Sequence, residues 1–405
     1  MITINEARNI VFESLWTLDP IKLPLEFAAG LILSEDIKSD IDVPPFNKAT
    51  MDGYAIHSAD SGVGSELKID RIIAAGQLSS NEVKRGHAVK IMTGAPVPPG
   101  IDSVIMVEQT SQIDEKTVKL ESKIESGRNI AVQGEEIKTG DVILKKGTEI
   151  SAPVAAVLAI TGNADVPVYP KPSALILSTG SELIEINKKP GPGQIRESNS
   201  YGILTQCSRW SAAASRRPLA ADNSKSLKGS IEDALELNPD IIILTGGVSA
   251  GDYDLVPELL KEMGVEILFH KVRQKPGKPI LFGRTDEQLI FGLPGNPVAA
   301  FLGFELYIGP AIRRMMGQTQ FETQIHEARL SGDMKVKSDR FYLPQGVVKN
   351  IGGEWNMSSL VSKGSADIFT VTKANSFMML DEGNYVLSAG EKVKFFFIRG
   401  ECHDA

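Results

Sequence analysis

Sulfur and imidazole are scarce in this chain: its 405 residues include only two cysteines, Cys207 and Cys402, and five histidines. Two thiols cannot build a disulfide framework. The histidines show no H-x-x-x-H spacing and the cysteines no C-x-x-C, which excludes the usual zinc patterns. Long apolar runs are missing as well, since no stretch approaches the about 18 residues of a membrane span. The first residues have neither a basic n-region nor a continuous apolar h-region, so the sequence predicts a cytoplasmic protein without a membrane partner. Positive charge is in deficit: 43 Lys and Arg stand against 51 Asp and Glu, a net charge of -8. Non-specific nucleic-acid binding needs an extended basic surface, and this balance excludes it while leaving a small anionic ligand admissible. With 42% apolar and 23% charged residues the chain is neither disordered nor fibrous, and its length implies two to four domains.

Against that acidic background one stretch is basic. His270 to Lys278 carries Lys271, Arg273, Lys275 and Lys278 and no carboxylate. It lies between two glycine turns, each at the end of a strand-like apolar run. Asp240 to Leu244 leads into TGGVSAGDYD (Thr245 to Asp254), where Gly246 and Gly247 permit a tight turn and Ser249 follows. Gln288 to Phe291 leads into GLPGNP (Gly292 to Pro297), with Pro294 and Gly295 in the turn. Asn296 then falls at an N-cap position and Pro297 is the first residue of a helix predicted to about Arg314. Successive backbone N–H groups at such crossings can seat a phosphate. A third turn, STGSEL, brings Thr179, Gly180 and Glu182. Singly each turn fits any α/β domain; the three together favour anion binding.

Carboxylates accompany the turns: Asp52 in MDGYA, Glu135 and Glu136 in GEEI, Glu182 in STGSEL, Asp252 and Asp254 in GDYD. Oxygen-only ligands suit Mg²⁺, which takes a few carboxylates plus water and substrate phosphates, so Asp52, Glu136, Asp252 and Asp254 are the candidate metal ligands.

The fold class predicted is α/β with additional β-rich domains. Thr3 and Glu6 form a capping box for a first helix, and a boundary falls near Phe46 after Val43-Pro-Pro. Strand-and-turn composition runs on to about Val132, and an Ala-rich helical run from Pro153 to Gly162 follows. Apolar strands then alternate with helices, which predicts a doubly wound, mostly parallel sheet whose ligands sit beyond the carboxyl ends of the strands. The divisions expected are 1–46 with 133–167, an inserted β-rich domain at 47–132, the α/β domain at 168–317, and a small C-terminal β domain at 318–405. Cys207 to Pro218 departs from this plan. It offers no credible buried strand and reads either as an irregular surface loop or as a local reading-frame slip. Phe301, Phe304 and Tyr307, at helical spacing, read as packing residues without chemistry.

The order and spacing of MDGYA, IMTGAPVP (91 to 98), GEEI, STGSEL, TGGVSAGDYD, QKPGKP (274 to 279), GLPGNP and Gly364-Ser365 resemble molybdopterin molybdenumtransferase, the MoeA family that includes the E domain of gephyrin. The resemblance runs nearly end to end. It implies four domains, the 168–317 part being similar to the molybdopterin-binding MogA-type fold. It also implies a homodimer whose cleft joins this module and the C-terminal domain to the inserted domain of the partner. Its reaction is insertion of molybdate into the dithiolene of adenylylated molybdopterin with loss of AMP, aided by Mg²⁺, and transient contact with a MogA-type adenylyltransferase is implied too. Carried over by motif, Asp52, Glu182, Asp222, Asp254, Lys271 and Lys275 are the expected catalytic set. Thr93, Thr179, Gly180, Gly246, Gly247, Ser249, Lys278, Pro294, Gly295, Asn296 and Ser365 are the expected substrate contacts. Three departures stand out: no arginine precedes Gly134 in Ala131-Val-Gln, Glu136 takes the place of the aspartate of G-E-D-I, and Ser181 that of an aspartate common in the family. The alternatives are an adenylyltransferase and, from a different class, a non-catalytic dimeric scaffold of the gephyrin type.

Overall fold

A computed structural model describes residues 1–77, 80–219, 224–248 and 255–398. The chain divides into two compact units: Met1–Lys22, Gly30–Ser34 and Pro167–Ala405 form one, Leu23–Ala29 and Glu35–Val166 the other.

In the second unit the strand-and-turn composition becomes a six-stranded sheet in the order Ser103–Met106, Gly53–Ile56, His87–Ile91, Glu66–Ile73, Thr117–Leu120, Thr110–Asp114. Successive side chains on a strand face opposite ways, and here both faces are covered. Ala55, Val89, Ile91 and Val104 belong to one buried cluster, Tyr54, Ile56, Ala88 and Ile105 to another. Gly53 in MDGYA has a steric cause: a Cβ there would lie 1.9 Å from the Ile105 carbonyl oxygen across the strand pair. The Ala-rich run forms the helix Ala152–Ile160.

The first unit contains the N-terminal helix Ile4–Glu13 with its capping box in place. Ile2 bonds through its amide to the Lys271 carbonyl and through its own carbonyl to the Arg273 amide, so this helix groups with the α/β portion rather than with residues 133–166. The main sheet runs Ala213–Arg216, Ser173–Ser178, Ile241–Thr245, Leu289–Leu293, Leu281–Arg284, Glu266–Phe269. Its first four strands are parallel, and its last two pairings are antiparallel, so that Leu281–Arg284 alone runs against the rest of this mixed form of the expected doubly wound sheet. The strand Ile241–Thr245 is buried throughout, as an all-apolar central strand requires. After the sheet, the helix beginning at Pro297 extends to Met315 with a π-helical turn at Phe304–Ile308. The C-terminal strands His326–Leu330, Glu354–Ser359, Gln345–Ile351, Ser376–Met379 and Lys392–Phe397 close a barrel around Val348, Met357, Met378 and Phe395.

Residues 207–218 correct the reading given above. The helix Asn199–Arg209 runs into this segment, and Ala213–Arg216 adds a parallel edge strand in register with Ser173–Ile176. The segment is therefore neither an irregular loop nor foreign to the fold. Its small and polar side chains disguise a strand held by backbone bonding at a sheet edge. Among the described residues no helix is long and apolar enough to cross a membrane.

Candidate functional site

In the first unit the carboxyl ends of the parallel strands meet the barrel-side loop 362–366. Two cavities open there, sharing Asn296 as a common wall.

A cavity of ≈ 440 Å³ is lined by Lys275, Lys278, Pro294, Asn296 and Ser365 of the expected set, together with Arg340, Tyr342 and Gln345. No carboxylate of the described residues lines it, in a chain of net charge -8. The lysine loop is held from below. Tyr307, fully buried in the π-helical turn, donates to Gln274 Oε1 at 2.6 Å, and Gln274 Nε2 donates to the Pro276 carbonyl at 3.1 Å. Burial pushes the Tyr307 phenol far above its usual range, so it remains a donor. The Lys275–Pro276 peptide is cis. Lys275 Nζ lies 5.4 Å from the centre of the Tyr342 ring, its neighbour in a short parallel pairing of Gln274–Lys275 with Phe341–Tyr342. Arg340 Nη1 donates to the Gln274 carbonyl at 3.4 Å and its Nε to Asp339, which holds that carboxyl below its ordinary range.

The second cavity, ≈ 460 Å³, is lined by Thr179, Glu182, Gly246, Gly295 and Asn296 of the expected set, with Arg196, Glu197 and Asn199. Its glycine turn is forced by proximity: Gly246 has φ +88°, and a Cβ on it would lie 2.1 Å from the Thr179 carbonyl oxygen. Asn199 Nδ2 ties the two turns together, donating to Thr245 Oγ1 at 2.9 Å and to the Gly295 carbonyl at 2.8 Å. The buried carboxylate of Glu197 accepts from the Ser200 amide at 2.7 Å and its hydroxyl at 2.6 Å, and from Ser178 Oγ at 3.2 Å. That fixes the start of the helix Asn199–Arg209 against the end of the strand Ser173–Ser178. Thr179 and Gly180 continue from that strand end, and the Thr179 amide bonds to the Thr245 carbonyl at 3.0 Å. Gly247 is also at positive φ, and a Cβ on it would lie 3.1 Å from the Thr179 methyl. Asn296 occupies the N-cap position, yet its side chain makes no capping bond. The Val298 amide is satisfied instead by the Ser365 carbonyl at 3.1 Å, so the barrel-side loop closes that helix end.

In the second unit Asp52 and Thr93 meet. Asp52 Oδ1 accepts from the Thr93 amide at 2.6 Å and from its hydroxyl at 2.7 Å, and these bonds hold the Asp52 carboxyl below its ordinary range. Glu136 is exposed, and its amide bonds to the Val43 carbonyl at 3.0 Å. Lys271 lines neither cavity; its carbonyl pairs with Ile2. Asp222, Ser249, Asp252 and Asp254 lie outside the described residues. Among the described residues no three His, Cys, Asp or Glu side chains gather as a metal site.

Sequence reasoning missed Arg340, Tyr342, Gln345, Arg196 and Asn199. Arg340 and Tyr342 follow an ordinary polar run, with no glycine turn to draw attention to them. Asn199 follows Glu197-Ser198 without a motif of its own.

The fold and the paired cavities define a protein of molybdenum cofactor biosynthesis. Residues 2–162 match the model of the MoeA N-terminal region (domain I and II), and residues 175–314 that of a probable molybdopterin binding domain. The molybdopterin molybdenumtransferase of Staphylococcus epidermidis is 36% identical over 97% of this chain and 94% of its own length. That of Staphylococcus aureus is 36% identical over 99% and 96%. A molybdopterin biosynthesis MoeA protein from Pyrococcus horikoshii, solved by crystallography, covers 99% of this chain and 100% of its own, with a TM-score of 0.84 at 27% identity. The chain belongs to the MoeA family of molybdopterin molybdenumtransferases. Its general activity is that of a transferase in molybdenum cofactor assembly.

Proposed function

We propose that this chain inserts molybdate into the dithiolene of adenylylated molybdopterin and releases AMP, acting as a cytoplasmic homodimer with a composite site. The observation that carries the reading is the cavity of Lys275, Lys278 and Arg340, which no carboxylate of the described residues lines. Molybdate is a tetrahedral dianion and the adenylylated pterin is also anionic. Fixed cations in a cavity bounded by Pro294, Val298 and Leu343 compensate that charge more strongly than water does. Charge compensation and positioning then dominate, and no protein nucleophile is required.

Asp52 is a single, ionised carboxylate oriented by Thr93. That donor chemistry fits Mg²⁺, which binds through one or two carboxylates plus substrate phosphates and would neutralise charge on the departing phosphate. The role of Asp52 itself is to orient water, or that ion's ligands, at the phosphoanhydride. The metal set with Glu136, Asp252 and Asp254, the four-domain division at 46, 132, 167 and 317, and the roles of Glu182, Asp222, Asp254 and Lys271 belong to this proposal.

The test supplies the purified chain with adenylylated molybdopterin and molybdate and follows AMP. Wild type is expected to release AMP only when molybdate is present. Asp52→Ala is expected to keep the fold and lose that release by on the order of a hundredfold or more. Consumption of ATP with unadenylylated molybdopterin, or full activity in the variant, would refute the reading.

A further inference from the structure

Tetrahedral oxyanions of equal charge can differ by a proton. In mildly alkaline solution molybdate, tungstate and sulfate are dianions with none, whereas the phosphate and arsenate dianions each keep one. A bare oxyanion only accepts hydrogen bonds; a protonated one must also place an O–H on an acceptor. A site can tell the two kinds apart by what its walls offer.

The lysine cavity offers donors. Lys275, Lys278 and Arg340 carry N–H groups and no acceptor, and no carboxylate of the described residues joins them. Two further polar side chains on its wall are uncommitted. Gln345 is only 5% exposed, held at the start of the barrel strand Gln345–Ile351 by pairing with Phe377 and by the bond its carbonyl accepts from the Leu360 amide at 3.0 Å. It lines the cavity, yet its side-chain amide makes no hydrogen bond among the described residues. The Tyr342 phenol also has no hydrogen-bond partner among them, and burial pushes it up, so it stays protonated and able to donate. Ser362, by contrast, is spent on the Gly364 carbonyl and amide, each at 3.2 Å. A buried amide without a partner is unfavourable in the free protein and points to a ligand that completes it. Beside cations that only donate, its oxygen is drawn to them and its N–H to the ligand.

We propose that this cavity selects oxyanions that carry no proton, and that Gln345 enforces the choice by donating Nε2–H to the bound anion. Molybdate sets an acceptor opposite each donor. Phosphate of the same charge brings its O–H against one of them, and a donor facing a donor costs affinity. Gln345 is thus the residue that reads protonation, while Lys275, Lys278 and Arg340 supply the charge. The inference rests on the molybdenumtransferase reading, which puts molybdate in this cavity, and deepens it.

Sulfate and phosphate are the decisive pair, close in size, equal in charge and different by one proton. Each is used as a competitor of molybdate in calorimetry on the full-length chain, at mildly alkaline pH and constant ionic strength. In wild type, sulfate is expected to compete at least about tenfold better than phosphate. Gln345→Glu puts an acceptor where the donor was. Its added charge weakens both anions, but only phosphate has a proton to offer it, so the preference for sulfate is expected to shrink by at least about tenfold. Gln345→Leu removes the donor without adding charge and is expected to narrow the preference severalfold. A merely structural role would weaken both anions and leave their ratio unchanged.

Equal competition by sulfate and phosphate in wild type overturns the proposal, and so does failure of both to compete, because size rather than protonation would then decide. A wild-type ratio in whichever variant melts as a folded protein removes Gln345 from the choice. Failure of wild type to bind molybdate at all would strike the transferase reading, and this inference with it.

Discussion

Tyr307 illustrates how a packing residue acquires a chemical consequence. It lies in the π-helical turn with no exposed surface, and its hydroxyl donates to Gln274, whose amide in turn holds the Pro276 carbonyl beside Lys275. In Tyr307→Phe the ring still fills its space, but a buried amide oxygen is left without its donor. Such orphaning costs about 1–3 kcal/mol, so urea denaturation is expected to show a lower midpoint with an unchanged slope. Molybdate affinity is expected to fall as well, since Lys275 rides on the loosened loop. From sequence alone Tyr307 looked like helix packing, and only the three-dimensional meeting of residues 33 apart reveals its partner. Cys207 ends differently: burial pushes its thiol up to about 12, leaving it inert at neutral pH and free of any role in the chemistry.

Among elements, the turn after the strand Ile241–Thr245 has no room for a side chain at its first glycine. Gly246→Ala places a methyl 2.1 Å from the Thr179 carbonyl oxygen at a φ of +88°. The left-handed backbone alone costs an L-residue roughly 1–2 kcal/mol, and the contact adds to it, so a clear drop in melting temperature is expected. This turn was legible because its signal in the sequence is local, an apolar strand and then glycines, although the contact that demands glycine, with Thr179, is not. The same holds for the capping box at Thr3 and Glu6 and for the helix starting at Pro297. The edge strand Ala213–Arg216 was not legible, because its identity comes from backbone pairing with Ser173–Ile176 and not from bulky apolar side chains. The residues before it also act at a distance. Arg209 pairs with the buried Glu305 and donates to the Ile398 carbonyl, so a segment that looked garbled ties the main helix to the end of the last barrel strand. Arg340 and Tyr342 escaped for a similar reason, since their place beside Lys275 depends on the short pairing of Gln274–Lys275 with Phe341–Tyr342.

For the molecule as a whole, pH and assembly follow from where charges are held. Asp36, Asp42 and Asp60 of one unit and Asp367 of the other accept hydrogen bonds, chiefly from the Lys146 amide, the Thr139 amide, the Arg85 guanidinium and the Lys363 amide respectively. Each carboxyl is held below its ordinary range. A depressed folded value contributes stability above the unfolded value of about 3.9 and loses it as pH falls through the folded one. Melting temperature is therefore expected to drop between pH 5 and pH 2, by about these pKa limits. Asp42→Asn should flatten that dependence, and an unchanged slope would remove Asp42 from the account.

Assembly follows from how the expected residues are distributed. Asp52 and Thr93 belong to one unit, flanked by the exposed apolar side chains Met51, Met92 and Val107, while the lysine cavity belongs to the other, with exposed Val361 and Phe369 near Ser365. If each site combines the Asp52 unit of one subunit with the lysine cavity of its partner, two inactive variants must complement. In a heterodimer of Asp52→Ala with Lys275→Ala, one site inherits both substitutions and the other inherits neither. Random exchange of equal amounts makes half of the dimers mixed, so about a quarter of wild-type AMP release is expected on co-refolding. Each variant alone should show almost none. If every site were built within a single subunit, each would keep one defect and mixing would restore nothing, so an inactive mixture whose subunits are shown by mass to have exchanged would exclude the composite arrangement.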